Sequence, residues 1–172
     1  MTNNQMDLSA LFKIQYGMYI VTSKYKENIN GQIATVVFQV TNTPAQLAVC
    51  LSKNTYTYEL ASKSKVLGIS ILSEEAQAKE IGVFGYKCGR ECFKFSDINY
   101  ETGITGVPLV TDNALVIMEV TIKQEVDLGT HVLFIGELSS SKKIRDGKAL
   151  TYEDYHTIRK GKTPENAPTF TV

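Results

Sequence analysis

Short gaps between strand-like runs limit this chain more than any other feature of its sequence. Met18-Tyr-Ile-Val-Thr-Ser23, Ile33 to Asn42, Gln46-Leu-Ala-Val-Cys-Leu51, Val66-Leu-Gly-Ile-Ser-Ile-Leu72, Ala114 to Ile122 and His131 to Leu138 are rich in β-branched and aliphatic residues. Between Asn42 and Gln46 lies only Thr43-Pro44-Ala45. A parallel crossover needs roughly a dozen residues or more, so such neighbours pair antiparallel. Helical stretches are fewer and short: Met6 to Tyr16, Thr55 to Ser62, and a segment from a Ser73 cap through Ile81 that stops near Gly82 to Gly85. Tyr25 to Gly31 reads as a turn closed by Asn30-Gly31, a pair suited to positive φ. The economical architecture is mainly β, a closed or partly open antiparallel barrel with small peripheral helices. At 172 residues and 43% hydrophobic, the chain makes one domain with a substantial core. An extended tail follows, Thr163 to Val172, with two prolines and no clear period.

Several function classes fall away. Eighteen basic and eighteen acidic side chains leave no net charge to attract a nucleic-acid backbone. No apolar run approaches the ~20 residues that span a bilayer, and the first residues lack a basic stretch followed by an apolar one. Three cysteines form no disulfide framework, so a cytoplasmic protein without membrane contact is expected. Cys88-Gly-Arg-Glu-Cys92 has no second Cys or Cys/His pair to complete a zinc or iron site, so no metal is expected. A redox role for these two thiols stays open. Neither a Gly-x-Ser-x-Gly elbow, a Gly-x-Gly-x-x-Gly turn nor a phosphate-binding Gly-x4-Gly-Lys-Ser/Thr loop is present.

The run from Ile33 to Asn42 alternates. Ala34, Val36, Phe38 and Val40 read as a core face; Ile33, Thr35, Val37, Gln39 and Thr41 form the other. That second face suits either water or a flat, polar-edged ring. Ser52-Lys-Asn-Thr-Tyr-Thr57 follows, with a cation, hydroxyls and an amide where a helix begins, a position that suits a phosphate. Phosphate at one end and a heteroaromatic ring along a strand describe a mononucleotide such as FMN.

Asn30-Gly-Gln-Ile-Ala-Thr-Val-Val-Phe-Gln-Val-Thr-Asn-Thr-Pro44, followed by Leu51-Ser-Lys-Asn-Thr-Tyr-Thr-Tyr-Glu-Leu60, resembles the flavin reductase-like family of FMN-binding split barrels. Flavoredoxins and the flavin domain of high-molecular-weight rubredoxins are among its members. Tyr16 to Ser23, Phe84-Gly-Tyr-Lys-Cys-Gly-Arg90 and Gly129-Thr-His-Val-Leu-Phe-Ile-Gly-Glu137 fit the same pattern, which spans about Leu8 to Gly161. The resemblance implies a six-stranded Greek-key split barrel over 1–161, working as a homodimer with FMN near the interface. It places Ala34, Thr35 and Val36 beside the isoalloxazine, with Gln39, Val40 and Thr41 continuing that wall. Ser52, Lys53, Asn54 and Thr57 would hold the phosphate, and Asn30 and Phe84 complete the set. The implied activity is hydride transfer from NADH or NADPH to flavin. Relatives that use a nicotinamide often carry Gly-Asp-His where this chain has Gly129-Thr130-His131, so His131 is the residue expected beside the nicotinamide, without its carboxylate neighbour. The alternatives are a flavoredoxin-type carrier and a split barrel that binds another ligand. High-molecular-weight rubredoxins continue into an iron domain with paired Cys-x-x-Cys motifs that this sequence lacks, so a carrier would need a separate partner such as a rubredoxin or a flavodiiron-type acceptor. Tyr152, Tyr155 and Arg159 are expected either to cover the flavin or to pack on the surface.

Overall fold

A computed structural model describes residues 7–165, 167 and 168. Met6 and residues 166 and 169–172 of the expected tail lie outside the described residues. The expected first helix is a short 3-10 helix, Leu8–Lys13, capped where the Asp7 carboxylate accepts the Ser9 amide. Nine strands follow: β1 (Tyr19–Tyr25), β2 (Asn28–Ala34), β3 (Val37–Asn42), β4 (Ala45–Ser52), β5 (Val66–Leu72), β6 (Tyr100–Thr102), β7 (Pro108–Val110), β8 (Ala114–Asp127) and β9 (His131–Lys143). Helices α1 (Tyr56–Ser64), α2 (Ala78–Tyr86) and α3 (Tyr152–Thr157) complete the fold. No described helix is long and apolar enough to cross a membrane.

Seven strands form one antiparallel sheet in the order β2-β1-β5-β8-β9-β4-β3. Its two ends, β2 and β3, are consecutive in the chain with only Thr35 and Val36 between them. They are one bent strand that leaves β1 and joins β4, so the sheet closes into a six-stranded barrel. After β4 the chain crosses through α1 to the far side of β1, then returns through β5, β8 and β9 to β4, a Greek-key path. Every barrel strand sends residues inward: Val21, Ala34, Val37, Val49, Leu51, Leu67, Ile69, Val120, Ile122, Val132 and Phe134 form one core with Ala61 of α1. A second core lies outside β1 and β5, where α2, α3 and the 93–98 loop cover Met18, Ile20 and Leu72 with Ile81, Phe84, Phe95 and Tyr155.

Four expectations change. Asn30-Gly31 lies inside β2, and the turn is at Lys26-Glu27, with Lys26 at φ 55°. Gly31 is needed for close packing: a Cβ there would sit 2.9 Å from Thr22 Cγ2 and 3.0 Å from Phe84 Cε1. The alternation of 33–42 changes phase at the bend, so Val37 is buried while Phe38 and Val40 are 51% and 45% exposed. Ser73 caps only a turn, through the Glu75 amide. Helix α2 instead starts after Gln77, whose amide donates to Glu80 Oε2 at 2.7 Å, and runs on through Gly82 and Gly85. The polar loop after α2 also contains the β6–β7 hairpin.

Candidate functional site

The bend that closes the barrel also opens it. Pairing between β3 and β4 ends at Val37 and Val49, and the Cys50 amide makes one further bond to the Val36 carbonyl at 3.0 Å. Beyond that point β2 follows β1 and β4 follows β9, so the two strands part. The N-terminus of α1, the end of α2, the 87–94 loop and the segment after α3 wall the gap, leaving a cleft of about 420 Å³. That volume lies within the range of small-molecule sites.

One end of the cleft is electropositive. Helix α1 is capped by Thr55, whose hydroxyl accepts the Tyr58 amide at 3.3 Å and donates to the Ser52 carbonyl at 2.8 Å. The remaining first-turn amides have no intrahelical acceptor and carry partial positive charge. Arg90 spans this mouth: it donates to the Asn54 carbonyl at 3.4 Å, pairs with Glu59 and stands 5.3 Å over the Tyr56 ring. Lys94 is 6% exposed, and its ammonium donates to the Gly31 carbonyl at 2.9 Å on the free edge of β2. Burial pushes Lys94 down to about 8, against the opposing pull of Cys92 and Cys88.

The other end is apolar with isolated polar atoms. Ile33, Ala34, Phe84 and Met18 line it. Thr35 Oγ1 and Gln32 Oε1 are buried without a hydrogen-bond partner among the described residues. A buried hydroxyl left unpaired costs about 1–3 kcal/mol, so its retention beside a cavity points to a ligand atom. At the rim, Tyr155 donates to Tyr86 (2.9 Å), and Tyr86 donates to the Lys162 carbonyl (2.6 Å). Burial, reinforced by that bond to Tyr86, holds the Tyr155 hydroxyl protonated far above the ordinary tyrosine range.

Of the residues singled out in the sequence, Asn30, Ala34, Thr35, Ser52, Asn54 and Phe84 line this cleft. Val36 stands at the point of divergence. Thr57 is fully buried behind the wall and accepts the Asn30 amide nitrogen at 2.9 Å. Lys53 turns outward to Asp127 at 2.6 Å, and this bond holds the Asp127 carboxyl below its ordinary range. Gln39, Val40 and Thr41 lie on the exposed part of β3, where Gln39 Nε2 reaches the Thr41 carbonyl and the Thr41 hydroxyl reaches that of Pro44. His131 opens β9 opposite Ser52, with Nδ1 2.9 Å from the Thr130 hydroxyl and Nε2 buried without a partner among the described residues. Arg90, Lys94 and Cys50 line the cleft without having been singled out. The sequence signal for the cations is slight: Lys94 stands between Phe93 and Phe95 in a loop, and the need for Gly89 before Arg90 shows only in the fold, where a Cβ would fall 2.0 Å from Asn30 Oδ1. No cluster of three or more metal-ligating side chains occurs among the described residues.

A family model described as a flavin reductase like domain matches residues 11–159. A ferric-chelate reductase (NAD(P)H) from Archaeoglobus fulgidus is 45% identical over 165 residues, covering 96% of this chain and 98% of that protein. A high molecular weight rubredoxin from Moorella thermoacetica is 41% identical over 167 residues, 97% of this chain and 73% of its own length. Among solved structures, the flavin reductase HpaC complexed with NADP+ matches with a TM-score of 0.72 at 23% identity, over 84% of this chain and 89% of the other.

Proposed function

The chain belongs to the flavin reductase-like domain family, and from that premise we propose that its cleft holds FMN and serves a reductase that takes hydride from NADH or NADPH. The buried, unpartnered Thr35 hydroxyl opposite an electropositive helix start carries this reading. A ring with polar edges answers Thr35 and Gln32, and a phosphate answers the α1 amides, Arg90 and Lys94. Asn30 stays rigid through its bond to Thr57, so it can present its oxygen to the ligand's middle. Ser52 and Asn54 bound the phosphate end, while Lys53, already paired with Asp127, acts at longer range. FMN supplies the hydride-accepting chemistry when bound. The chain's part is to orient the ring against Ala34 and Thr35, exclude water with the Tyr86–Tyr155 rim, and hold His131 behind Ser52 at the cleft's border. The Thr130 hydroxyl fixes the His131 ring through Nδ1, and Nε2, buried and without a partner among the described residues, becomes available to a nicotinamide only when the ring turns outward.

Two observations favour a second reading. Thr130 brings no negative charge to His131, and a relative at 41% identity is named as a rubredoxin, so an electron carrier serving a rubredoxin-type or flavodiiron-type partner is the alternative. An anaerobic absorption spectrum of the FMN-loaded protein separates the two. Bleaching of the flavin band within seconds of adding NADH or NADPH supports the reductase. A band that bleaches with dithionite but with neither nucleotide supports the carrier. Failure to take up FMN at all removes both.

A further inference from the structure

Two thiols at the cleft take no part in this reading. Cys88 lines the cleft, and Cys88 and Cys92 are both free and half-buried, whereas Cys50 is buried in β4 with its thiol pushed up by burial. The Cys92 amide donates to the Cys88 carbonyl at 3.2 Å, which closes residues 88–92 into a single turn. Such a closure sets the two Cα atoms ~6 Å apart, inside the span of a disulfide. Cys92 Sγ is already folded back, 3.5 Å from that same carbonyl oxygen. Arg90 sits at the tip of the turn within reach of the Cys88 sulfur, and Lys94 lies close to both thiols. The thiolate is the reacting form of cysteine, and these are the charges that would neutralise it.

We propose that Cys88 and Cys92 form a modification site, at which a hydroperoxide drives a reversible disulfide that withdraws Arg90 from the mouth of the cleft. The Cys88 thiolate attacks the peroxide, the O–O bond breaks, and the leaving alkoxide takes a proton to become an alcohol. Cys88 is left as a sulfenic acid. The Cys92 sulfur then attacks it, the S–S bond forms, the S–O bond breaks, and water leaves with the Cys92 proton. Two electrons have passed from the thiol pair to the peroxide. A small thiol reverses the change by two exchanges. Closing the sulfurs to ~2 Å tightens the turn, and Arg90 at its tip loses its hold on Asn54 and Glu59.

The consequence for cofactor binding rests on the FMN reading; disulfide formation does not. Full-length protein without cofactor is treated with tert-butyl hydroperoxide, alkylated and analysed by peptide mass. The peptide carrying both cysteines should lose two hydrogens while Cys50 remains alkylatable, and Cys92→Ser should instead yield a dimedone-trapped sulfenic acid at Cys88. Oxidised protein should bind FMN about tenfold more weakly, the worth of one lost charge-assisted contact, with riboflavin changed far less and dithiothreitol restoring both. Thiols that stay free, bridges formed only between chains, or an oxidised form with unaltered FMN affinity would each overturn the proposal. Reduced protein that binds no FMN would instead refute the cofactor reading and leave the peptide-mass result standing.

Discussion

An ammonium group with 6% exposure and one carbonyl for a partner is expensive to keep, and Lys94 is kept beside the cleft all the same. Its shift from 10.5 to about 8 has a definite sign for stability. Between about pH 8 and 10.5 the unfolded chain still binds a proton that the folded chain has released, so stability rises with pH across that window. Below pH 8 the folded protein bears the full cost, about 3 kcal/mol at one pKa unit per 1.4 kcal/mol. Lys94→Met removes that cost and strips the Gly31 carbonyl of its donor, a loss of about 1 kcal/mol. In the absence of cofactor, the variant should therefore be more stable than the parent at pH 7 in urea unfolding, and the gap should close toward pH 10.5. Its FMN affinity should fall while riboflavin is bound nearly as before. Parallel stability curves for the two proteins would contradict the assignment of a buried, strained cation.

At the scale of elements, one close approach away from the cleft is where β9 lies against β8. A Cβ on Gly136 would lie 2.3 Å from Val120 Cγ1 and 2.8 Å from the Thr121 carbonyl oxygen, and that backbone cannot move without disturbing a strand already bulged at Glu119/Val120 and Ile122/Gln124. Gly136→Ala should cost about 1–3 kcal/mol as overpacking does, read as a lower urea midpoint with unchanged slope. Its FMN affinity at low denaturant should match the parent, because Gly136 pairs with Leu47 and Ile122, away from the cleft. Elements of this kind were partly legible. Strand β4 was readable because it is apolar on both faces and does sit between two strands, and α1 because Thr55 is a strong cap. The bend at Thr35-Val36 was not, since the alternation of residue types runs on unbroken while the backbone changes phase, leaving Phe38 outside and Val37 within. Ser73 was the expected start of α2, and Glu80 moved it to Gln77 through a bond that only the folded turn creates. The Arg90 and Lys94 positions carry no periodicity, because closure of a loop onto β2 and α1 gives them their place.

At the scale of the whole molecule, one outer surface of the barrel is unlike the rest. Register puts Phe38 beside Ala48, Ala48 beside Ile135, Cys50 beside Leu133, and Leu133 beside Val126, so these side chains share one face. Phe38 and Val126 are 51% and 41% exposed there, with Val40 at 45% on the adjoining bulge. The face runs directly into the cleft, because Cys50 and Ser52 belong to both. A second copy set against it would cover the exposed aromatic and aliphatic carbon and also wall the open side of the ring site, next to His131. Stable interfaces bury about 800 Å² per partner around an apolar centre, and a carboxylate placed at that centre without a partner costs several kcal/mol. The expected outcome is a particle of twice 19.1 kDa for the parent in sedimentation equilibrium at micromolar concentration. Phe38→Asp should sediment as the single 19.1 kDa chain, keep its circular dichroism and a cooperative thermal transition at a lower midpoint, and bind riboflavin and FMN more weakly by the same factor, since the ring end loses its cover and the phosphate end does not. A parent that sediments as one chain, or a Phe38→Asp variant that still pairs, would contradict the assignment of this face to a second copy.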